Sequence, residues 1–444
     1  MLRIEDTDAE RSRSEWIDGL LAGMSWLGME PDEGPYRQSE RGERYREVIE
    51  QLWSAGCLYA CDCTRDDVLA RTRDNPTPGY DGHCRDRGLA RSERTALRFA
   101  TPDTGSTVVH DIIRGDVEFP HEAMEDFVCV KSSGQPLFIL ANAVDDRDTA
   151  ISHVIRGEDL LPTTPKGLLV WGALDAQEPV ELPVFAHLPM LVNEQRKKLS
   201  KRRDPVAVES YRDQGYLAAA FRNYLALLGW SPPGDQEKVD LDTLIAEFRL
   251  EDVHHAPAFF DVKKLTHLNG EYIRELTAAG FEAAVKPWVE PDLDGAAWSP
   301  STGEVPWPPD RFDEGRFAAI APLVQERVAV LGEVPAMVDF LFLEEPAIDE
   351  KSWAKVARDP NASAILTEAI AAYGECDWDR ETLYAVTEAV AQSVGTKLNK
   401  VDAPIRVAVT GRTVGPPLFE PLEILGRDVV LARLGRGLER LTAT

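Results

Sequence analysis

Residues 196–204, RKKLSKRRD, hold three lysines and three arginines around a single serine. The run follows an apolar stretch at 184–191 that reads as a strand. Cationic side chains on such a loop offset the charge that builds on a leaving pyrophosphate, so the composition suits a triphosphate. A solvated basic turn has the same composition, and context has to separate the two. A second constellation is Cys61-x-Cys63, followed by Tyr80 and then His83-Cys84. Close thiolates with one further ligand suit tetrahedral Zn²⁺, and Tyr80 or His83 could complete the set. Free buried thiols are the plainer alternative. Nothing near the cysteines looks catalytic, so a metal here is expected to be structural.

The elements that must carry these groups are legible in outline. Residues 2–8 read as a strand end and polar turn. Ser12 and Glu15 have capping-box spacing before a helix whose apolar stripe is Ile17, Leu20, Leu21, Met24 and Leu27. A turn at 33–45 leads to a second helix through Tyr45, Val48, Ile49, Leu52 and Trp53. Residues 61–140 change character and read as an inserted α+β module, with a short β-like run at 106–110. A buried strand at 150–156, a helix opened by Thr164-Pro165, and the strand at 184–191 follow the order of a parallel βαβ unit. Residues 218–228 read as a helix. Residues 286–312, rich in Pro, Trp and acid, read as a linker or surface loop. Helical periodicity then continues from about 313 to the end.

Composition sets the outer limits. At 444 residues the chain holds two to four domains. Its 43% hydrophobic and 28% charged residues are those of an ordinary soluble protein. No apolar run approaches the roughly 18 residues of a membrane span. The N-terminus has no apolar core, so a cytoplasmic protein is expected. The six cysteines, in a long chain without a secretory signal, do not read as disulfides. The formal charge is 49 − 76 = −27. Net charge governs solubility and steering, not the potential of one local strip, so RNA binding stays open.

Context decides the basic loop. Lys198-Leu199-Ser200-Lys201-Arg202 resembles the second signature of class I aminoacyl-tRNA synthetases, written KMSKS and often ending SKR in the glutamyl branch. RIEDTD at 3–8 with GPYRQSERGERY at 34–45 resembles the stretch after the first signature of glutamyl- and glutaminyl-tRNA synthetases. LANAVDD at 140–146 and VIRGEDLLPTTP at 154–165 resemble the family's amino-acid and adenosine-binding strands. FDVKKLTHLNGEYIRE at 260–275 resembles its segment beyond the loop, and residues 404–428 its bacterial glutamyl C-terminal signature. The matches come in family order along nearly the whole chain.

The resemblance implies a two-step ligase: L-glutamate and ATP give glutamyl-adenylate and pyrophosphate, and the acyl group passes to tRNA(Glu). Arg156 matches the arginine that reads the substrate side-chain carboxylate, a task its bidentate fork suits. Glu5 matches the acid that meets the substrate ammonium. Arg3, Asn142 and Phe138 match the same pocket, Phe138 standing where a tyrosine is usual. Lys201 matches the lysine on the ATP phosphates, with Lys198 and Arg202 supporting it and Ser200 bonding within the loop. Glu158 and Leu199 match ATP-binding positions, and Leu160 stands where a histidine would lie beside the adenine. Mg²⁺ is expected to arrive with ATP. The cysteine cluster resembles the zinc site in the acceptor-binding insertion of some glutamyl enzymes, and more closely that of glutamyl-queuosine tRNA(Asp) synthetases. The family is mostly monomeric, so a monomer is expected. The sequence does not mark whether tRNA(Gln) is a second acceptor.

The family's first signature, a turn of the HIGH type, normally precedes RIEDTD, and none of the eight histidines sits in one. A start set too late is the preferred explanation over a truly shortened chain. For the chain as it stands, weak or lost charging with tRNA binding retained is the expectation. A tRNA-binding paralogue without adenylate chemistry is one alternative, opposed by the intact basic loop. A glutamyl-queuosine-type enzyme is another, opposed by the long C-terminal region. A glutaminyl enzyme would carry β-barrels where this chain reads as helical.

The expected architecture is a Rossmann-like catalytic domain at 1–60 and 141–195, split by an acceptor-binding insertion at 61–140 that carries the zinc site. A stem-contact region with the KLSKR loop follows at 196–278, and an all-helical anticodon-binding region at 279–444.

Overall fold

The computed structural model describes residues 1–7, 13–74, 79–175, 179–199, 207–232, 234, 236–290 and 305–443. It comprises two compact units, Met1–Val206 with Arg222–Asp261, and Ala207–Phe221 with Val262–Thr444.

The first unit opens with β1 (Arg3–Ile4), α1 (Ser14–Trp26), β2 (Tyr36–Arg37), α2 (Gly42–Ser54), β3 (Leu58–Cys61) and α3 (Arg65–Thr72). Next come β4 (Ala96–Phe99), β5 (Ser106–Asp111), β6 (Gly115–Pro120), β7 (Val128–Val130) and α4 (Phe138–Asp148). Then follow β8 (His153–Gly157), α5 (Thr164–Asp175), β9 (Val184–Leu188) and β10 (Leu191–Val192). α6 (Val208–Gln214) belongs to the second unit, as does α7 (Ala218–Ala226) up to Phe221; the first unit resumes at Arg222 and closes with α8 (Leu241–Glu247) and β11 (Ala258–Phe259).

Among the described residues four small sheets result. One has the strand order β6-β5-β9-β8, with β8 and β9 parallel and joined through α5. This is the expected βαβ unit, a connection parallel strands require. β3, β4 and β7 form an antiparallel sheet, while β1–β2 and β10–β11 are parallel pairs. Tyr45, Val48, Ile49 and Leu52 recur at helical spacing on α2 and are all buried. They share a core with Phe99 and Cys129 of the β3-β4-β7 sheet region, Leu140 and Val144 of α4, and Trp171 of α5. Each such aliphatic side chain contributes roughly 1.5–3 kcal/mol when fully buried.

Several expectations are corrected. LANAVDD is not a strand: residues 140–146 lie inside α4. Leu140, Ala141 and Val144 pack on the core from one helical face, and their spacing of one, three and four suits a helix. The boundary expected at residue 140 therefore falls within a helix, and β5, from the expected insertion, pairs with β9 in one sheet. α1 is capped at Arg13 without a side-chain bond, one residue later than the Ser12–Glu15 spacing suggested; Ser12 lies outside the described residues. Leu20, placed in its apolar stripe, is exposed. Thr164 is not an N-cap but the first residue of α5, directly after a 3-10 turn at Glu158–Thr163. The apolar run at 184–191 breaks between two sheets at Pro189, because proline has no N–H for a ladder.

The second unit continues with α9 (Val262–Arg274), α10 (Ala278–Val289), α11 (Glu314–Gln325), α12 (Val334–Phe342) and α13 (Glu350–Ala357). It ends with α14 (Ala362–Glu375), α15 (Arg380–Ser393), α16 (Leu398–Thr410), α17 (Phe419–Leu425) and α18 (Arg427–Thr442). α10 runs three residues past position 286, where a linker was expected. Pro287 is tolerated in its last turn because Val285, Trp288 and Val289 are buried in the core. One continuous core joins α10 to α12 and α14 to α18, which accounts for the long helical periodicity read from the sequence.

Candidate active site

β1 carries Arg3 and leads into Glu5. Nη1 of Arg3 donates to Oδ1 of Asp146 at 2.7 Å, and its Nη2 to Oε1 of Glu5 at 3.3 Å. The same Glu5 oxygen accepts from Nδ2 of Asn142 at 2.8 Å. Asn142 and Asp146 are four residues apart, so α4 presents both on one face. Gln38, buried, donates to Oδ1 of Asn142 at 2.8 Å and to Oδ2 of Asp145 at 2.9 Å. That oxygen also takes the hydroxyl of Tyr45 at 2.7 Å, while Arg41 Nε bonds Oδ1 at 2.7 Å. The amide orientation of Asn142 is thereby set by a fully bonded network.

Arg156 comes from β8. Its Nη2 donates to Oγ1 of Thr164 at 2.8 Å and its Nε to Nε2 of His187 at 3.3 Å. Arg156, Asn142, Asp146, Phe138, Thr164 and Trp171 line one cavity. Burial lowers the guanidinium pKa of Arg156 below its ordinary value, against the pull of Asp146 and Glu5. Burial likewise raises the carboxyl of Asp146, against the pull of Arg3. The cavity thus offers a desolvated cation and a carboxylate pair, a lining that fits an amino acid with an anionic side chain.

All five residues expected around the amino acid are brought together. Phe138, Asn142 and Arg156 line the cavity, and Arg3 and Glu5 bond to its wall. The sequence reading missed Asp111, Thr164 and His187 in this role. Asp146 and Gln38 stand inside the matched motifs, whose resemblance implies no task for them. His187 had a signal: it is the one polar residue of the strand VFAHL.

The basic loop is described only as far as Leu199. Lys198 Nζ donates to Asp159 Oδ2 at 2.7 Å, which holds that carboxyl below its ordinary pKa. Leu199 N donates to Leu191 O at 3.0 Å, extending a tight turn in which Arg196 adopts φ 55°. Glu158 accepts from Met190 N at 3.0 Å and pairs with Arg114, so its carboxylate is already engaged. Leu160 accepts at its carbonyl from Thr163 Oγ1 at 2.6 Å. Ser200, Lys201 and Arg202 lie outside the described residues.

The sulfurs of Cys61, Cys63 and Cys84 lie within 4.8 Å of one another. The Tyr80 hydroxyl stands 3.7 Å from Sγ of Cys61 and accepts from Cys84 N at 2.7 Å. His83 is exposed and is not part of this cluster. Arg98, Arg71 and Arg87 each donate to one of the three sulfurs, at 3.3, 3.4 and 3.2 Å respectively. Cationic neighbours favour thiolates, the form that binds a metal: against the effect of burial, Arg98 lowers the Cys61 thiol, whereas burial and the Cys84 sulfur push Cys63 up to about 11. The donor set therefore fits a tetrahedral cation such as Zn²⁺.

A catalytic βαβ unit, an amino-acid cavity at its edge and a separate helical unit are the parts of a class I synthetase. Residues 1–267 match the family of tRNA synthetases class I (E and Q), catalytic domain, and residues 281–438 match an anticodon binding domain. The chain belongs to the glutamyl branch of this class I family, the glutamate–tRNA ligases. The glutamate–tRNA ligase of Frankia casuarinae is 52% identical over 444 residues, covering 100% of this chain and 91% of that protein. That of Salinispora arenicola is 52% identical, with 99% and 92% covered. The crystal structure of a glutamate tRNA ligase from Elizabethkingia meningosepticum, in complex with its amino acid, superposes with a TM-score of 0.78. It is 27% identical and covers 99% of this chain and 92% of that one. The anticodon-domain match at 281–438 runs against the glutamyl-queuosine alternative, which has no such domain.

Proposed function

We propose that this chain ligates L-glutamate to tRNA(Glu) through a glutamyl-adenylate, in protein synthesis, with Arg156 gripping the substrate side-chain carboxylate. The observation that carries the residue assignment is the half-buried guanidinium of Arg156 opening on the cavity that also holds Asn142 and Asp146. Its Nη1 has no hydrogen-bond partner among the described residues, so one edge stays available to a carboxylate.

In this reading Glu5, steadied by Asn142 and Arg3, receives the α-ammonium. Phe138 closes the apolar side. Lys198, Ser200, Lys201 and Arg202 carry the phosphates of ATP, whose Mg²⁺ arrives with the nucleotide. Glu158 and Leu199 shape the nucleotide seat through the turn they fix. Cys61, Cys63, Tyr80 and Cys84 hold one structural Zn²⁺, which would lock the 61–140 module against the acceptor end. Residues 1–60 and 141–195 act as the catalytic body, 196–278 as the stem contact and 279–444 as the anticodon reader. No helix among the described residues is long and apolar enough to cross a membrane. The protein works in the cytoplasm as a monomer.

Charging of tRNA(Glu) with labelled glutamate, beside glutamate-dependent ATP–pyrophosphate exchange, tests the reading. Even at the weak rate expected of these 444 residues, glutamate but not glutamine is expected to support both, and Arg156→Gln to abolish both. Equal use of glutamine would refute the assignment of Arg156. The same assay with tRNA(Gln) settles the second acceptor.

A further inference from the structure

Arg156 is held from behind by a chain of buried groups that crosses three adjacent strands. Asp111 ends β5, His187 lies on β9 and Arg156 on β8. Arg156 and His187 are direct cross-strand partners, and Asp111 pairs with Phe185 two residues before His187. His187 has no solvent exposure, and Asp111 and Thr164 are also buried.

The hydrogen bonds admit one consistent assignment. Asp111 Oδ1 accepts from the amides of Ile113 and Arg114 at 3.0 and 2.9 Å. Its Oδ2 accepts from the amide of His187 at 3.0 Å and lies 2.6 Å from Nδ1 of the same ring. A carboxylate facing four donors accepts from each, so Nδ1 carries the proton. Nε2 is then a bare acceptor. It receives Nε–H of Arg156 at 3.3 Å and the Thr164 hydroxyl at 3.0 Å. The freed lone pair of Thr164 Oγ1 takes Nη2 of Arg156 at 2.8 Å. Nε–H and Nη2 lie along one edge of the guanidinium, and that edge is held, Nη2 also donating to Oγ1 of Thr163 at 3.4 Å; Nη1 is left for the cavity that Arg156 lines.

We infer that His187, with its tautomer set by Asp111, is a positioning residue that aims Arg156 at the substrate carboxylate and so sharpens the choice of glutamate over glutamine. The inference rests on the role given to Arg156 above. The physical reason is pre-organisation: a guanidinium already oriented loses less freedom when it grips a carboxylate, and its bidentate geometry is what a neutral amide cannot match.

Isothermal titration of glutamate and of glutamine into the full chain bound to tRNA(Glu) tests this. His187→Leu removes the acceptor and is expected to weaken glutamate binding roughly tenfold or more, the scale of a lost bond to a charged group. Glutamine binding should change little, so discrimination falls. His187→Gln restores an acceptor oxygen near Nε2 and is expected to stay within about threefold of the parent on the same scale. tRNA affinity and the melting midpoint serve as controls. If His187→Leu does not fold, Thr164→Val against Thr164→Ser asks the same question at the other bond, with only the valine weakening glutamate. Loss of glutamate binding in Arg156→Gln with parental binding in His187→Leu, or in a folded Thr164→Val, overturns the positioning role and leaves Arg156 in place. Parental binding in Arg156→Gln overturns both.

Discussion

Asn142 on α4 donates its side-chain N–H to Glu5 at the start of the chain, 2.8 Å away and 137 positions apart in sequence. This bond ties the N-terminal strand to the helix that lines the amino-acid cavity. Asn142→Asp would set two carboxylates at that distance, and like charges so close disfavour each other. Glutamate affinity is expected to fall about tenfold as Glu5 turns away. Titration calorimetry reads the effect, and unchanged affinity in a folded variant would remove Glu5 from the ammonium site.

Lysine cannot replace the arginine at 156. It keeps the charge but loses the fork and the two bonds to Thr164 and His187. Arg156→Lys is expected to raise the KM for glutamate at least about tenfold while leaving that for ATP within about twofold, since each bond to a charged group is worth about 1.5–3 kcal/mol. Steady-state pyrophosphate exchange with each substrate varied in turn checks the split.

Stability should depend on His187 in a defined pH window. Burial holds its pKa below the ordinary 6.5, with Arg156 and Arg114 acting in the same direction and Asp111 opposing. The unfolded chain therefore takes up this proton near pH 6.5 while the folded chain does not, and stability falls as pH drops from there towards the folded value. The paired Asp111 is depressed, so its contribution persists above its unfolded value and is lost only at lower pH, through its folded value. Melting midpoints from pH 7.5 to 5 should fall less steeply in His187→Gln than in the parent. Identical slopes would show that His187 titrates alike in both states.

The thiol cluster predicts one equivalent of zinc in the purified chain. Chelation should lower the melting midpoint without unfolding the second unit, because the ligands all lie in the first. Cys84→Ser should lose the metal, and Tyr80→Phe should bind it more weakly. His83→Ala should leave it in place. Elemental analysis of the four proteins decides, and a metal-free parent would remove the site.

In the second unit, Arg433 of α18 is buried, and burial lowers its pKa to about 10. It donates to the carbonyls of Val409 at 2.9 Å and Leu343 at 2.7 Å, near the C-terminal ends of α16 and α12. Those carbonyls have no helical partner of their own. Arg433→Leu strands both and is expected to cost about 2–6 kcal/mol, about 1–3 for each unsatisfied group. Urea unfolding followed by circular dichroism measures it, and a loss below about 1 kcal/mol would assign the bonds to water exchange.

Much of this protein is written in local pattern. Tyr45, Val48, Ile49 and Leu52 announce α2, because burial on one helical face needs only that spacing. Arg156, Asn142 and Glu5 stand in motifs that name their chemistry, and Cys61, Cys63 and Cys84 carry metal-ligand spacing. The same patterns failed where tertiary context overrode them. LANAVDD is matched to a strand by resemblance alone, and nothing in so short an apolar run distinguishes a strand from the buried helix it forms. Pro287 looked like a break because its cost is local, while the burial of Trp288 and Val289 that offsets it comes from distant helices.

By itself, then, the sequence determined the family, the order of its parts and the residue types at the cavity. It could do so because those depend on side-chain chemistry and on spacing along one segment. What only the tertiary structure decided is how those groups are aimed. Asp111, His187 and Arg156 come from separate strands, His187 standing 76 positions from Asp111 and 31 from Arg156, so no local pattern reveals the chain between them. Their alignment exists only once β5, β9 and β8 lie side by side, since a strand's hydrogen-bond register sets which side chains face each other.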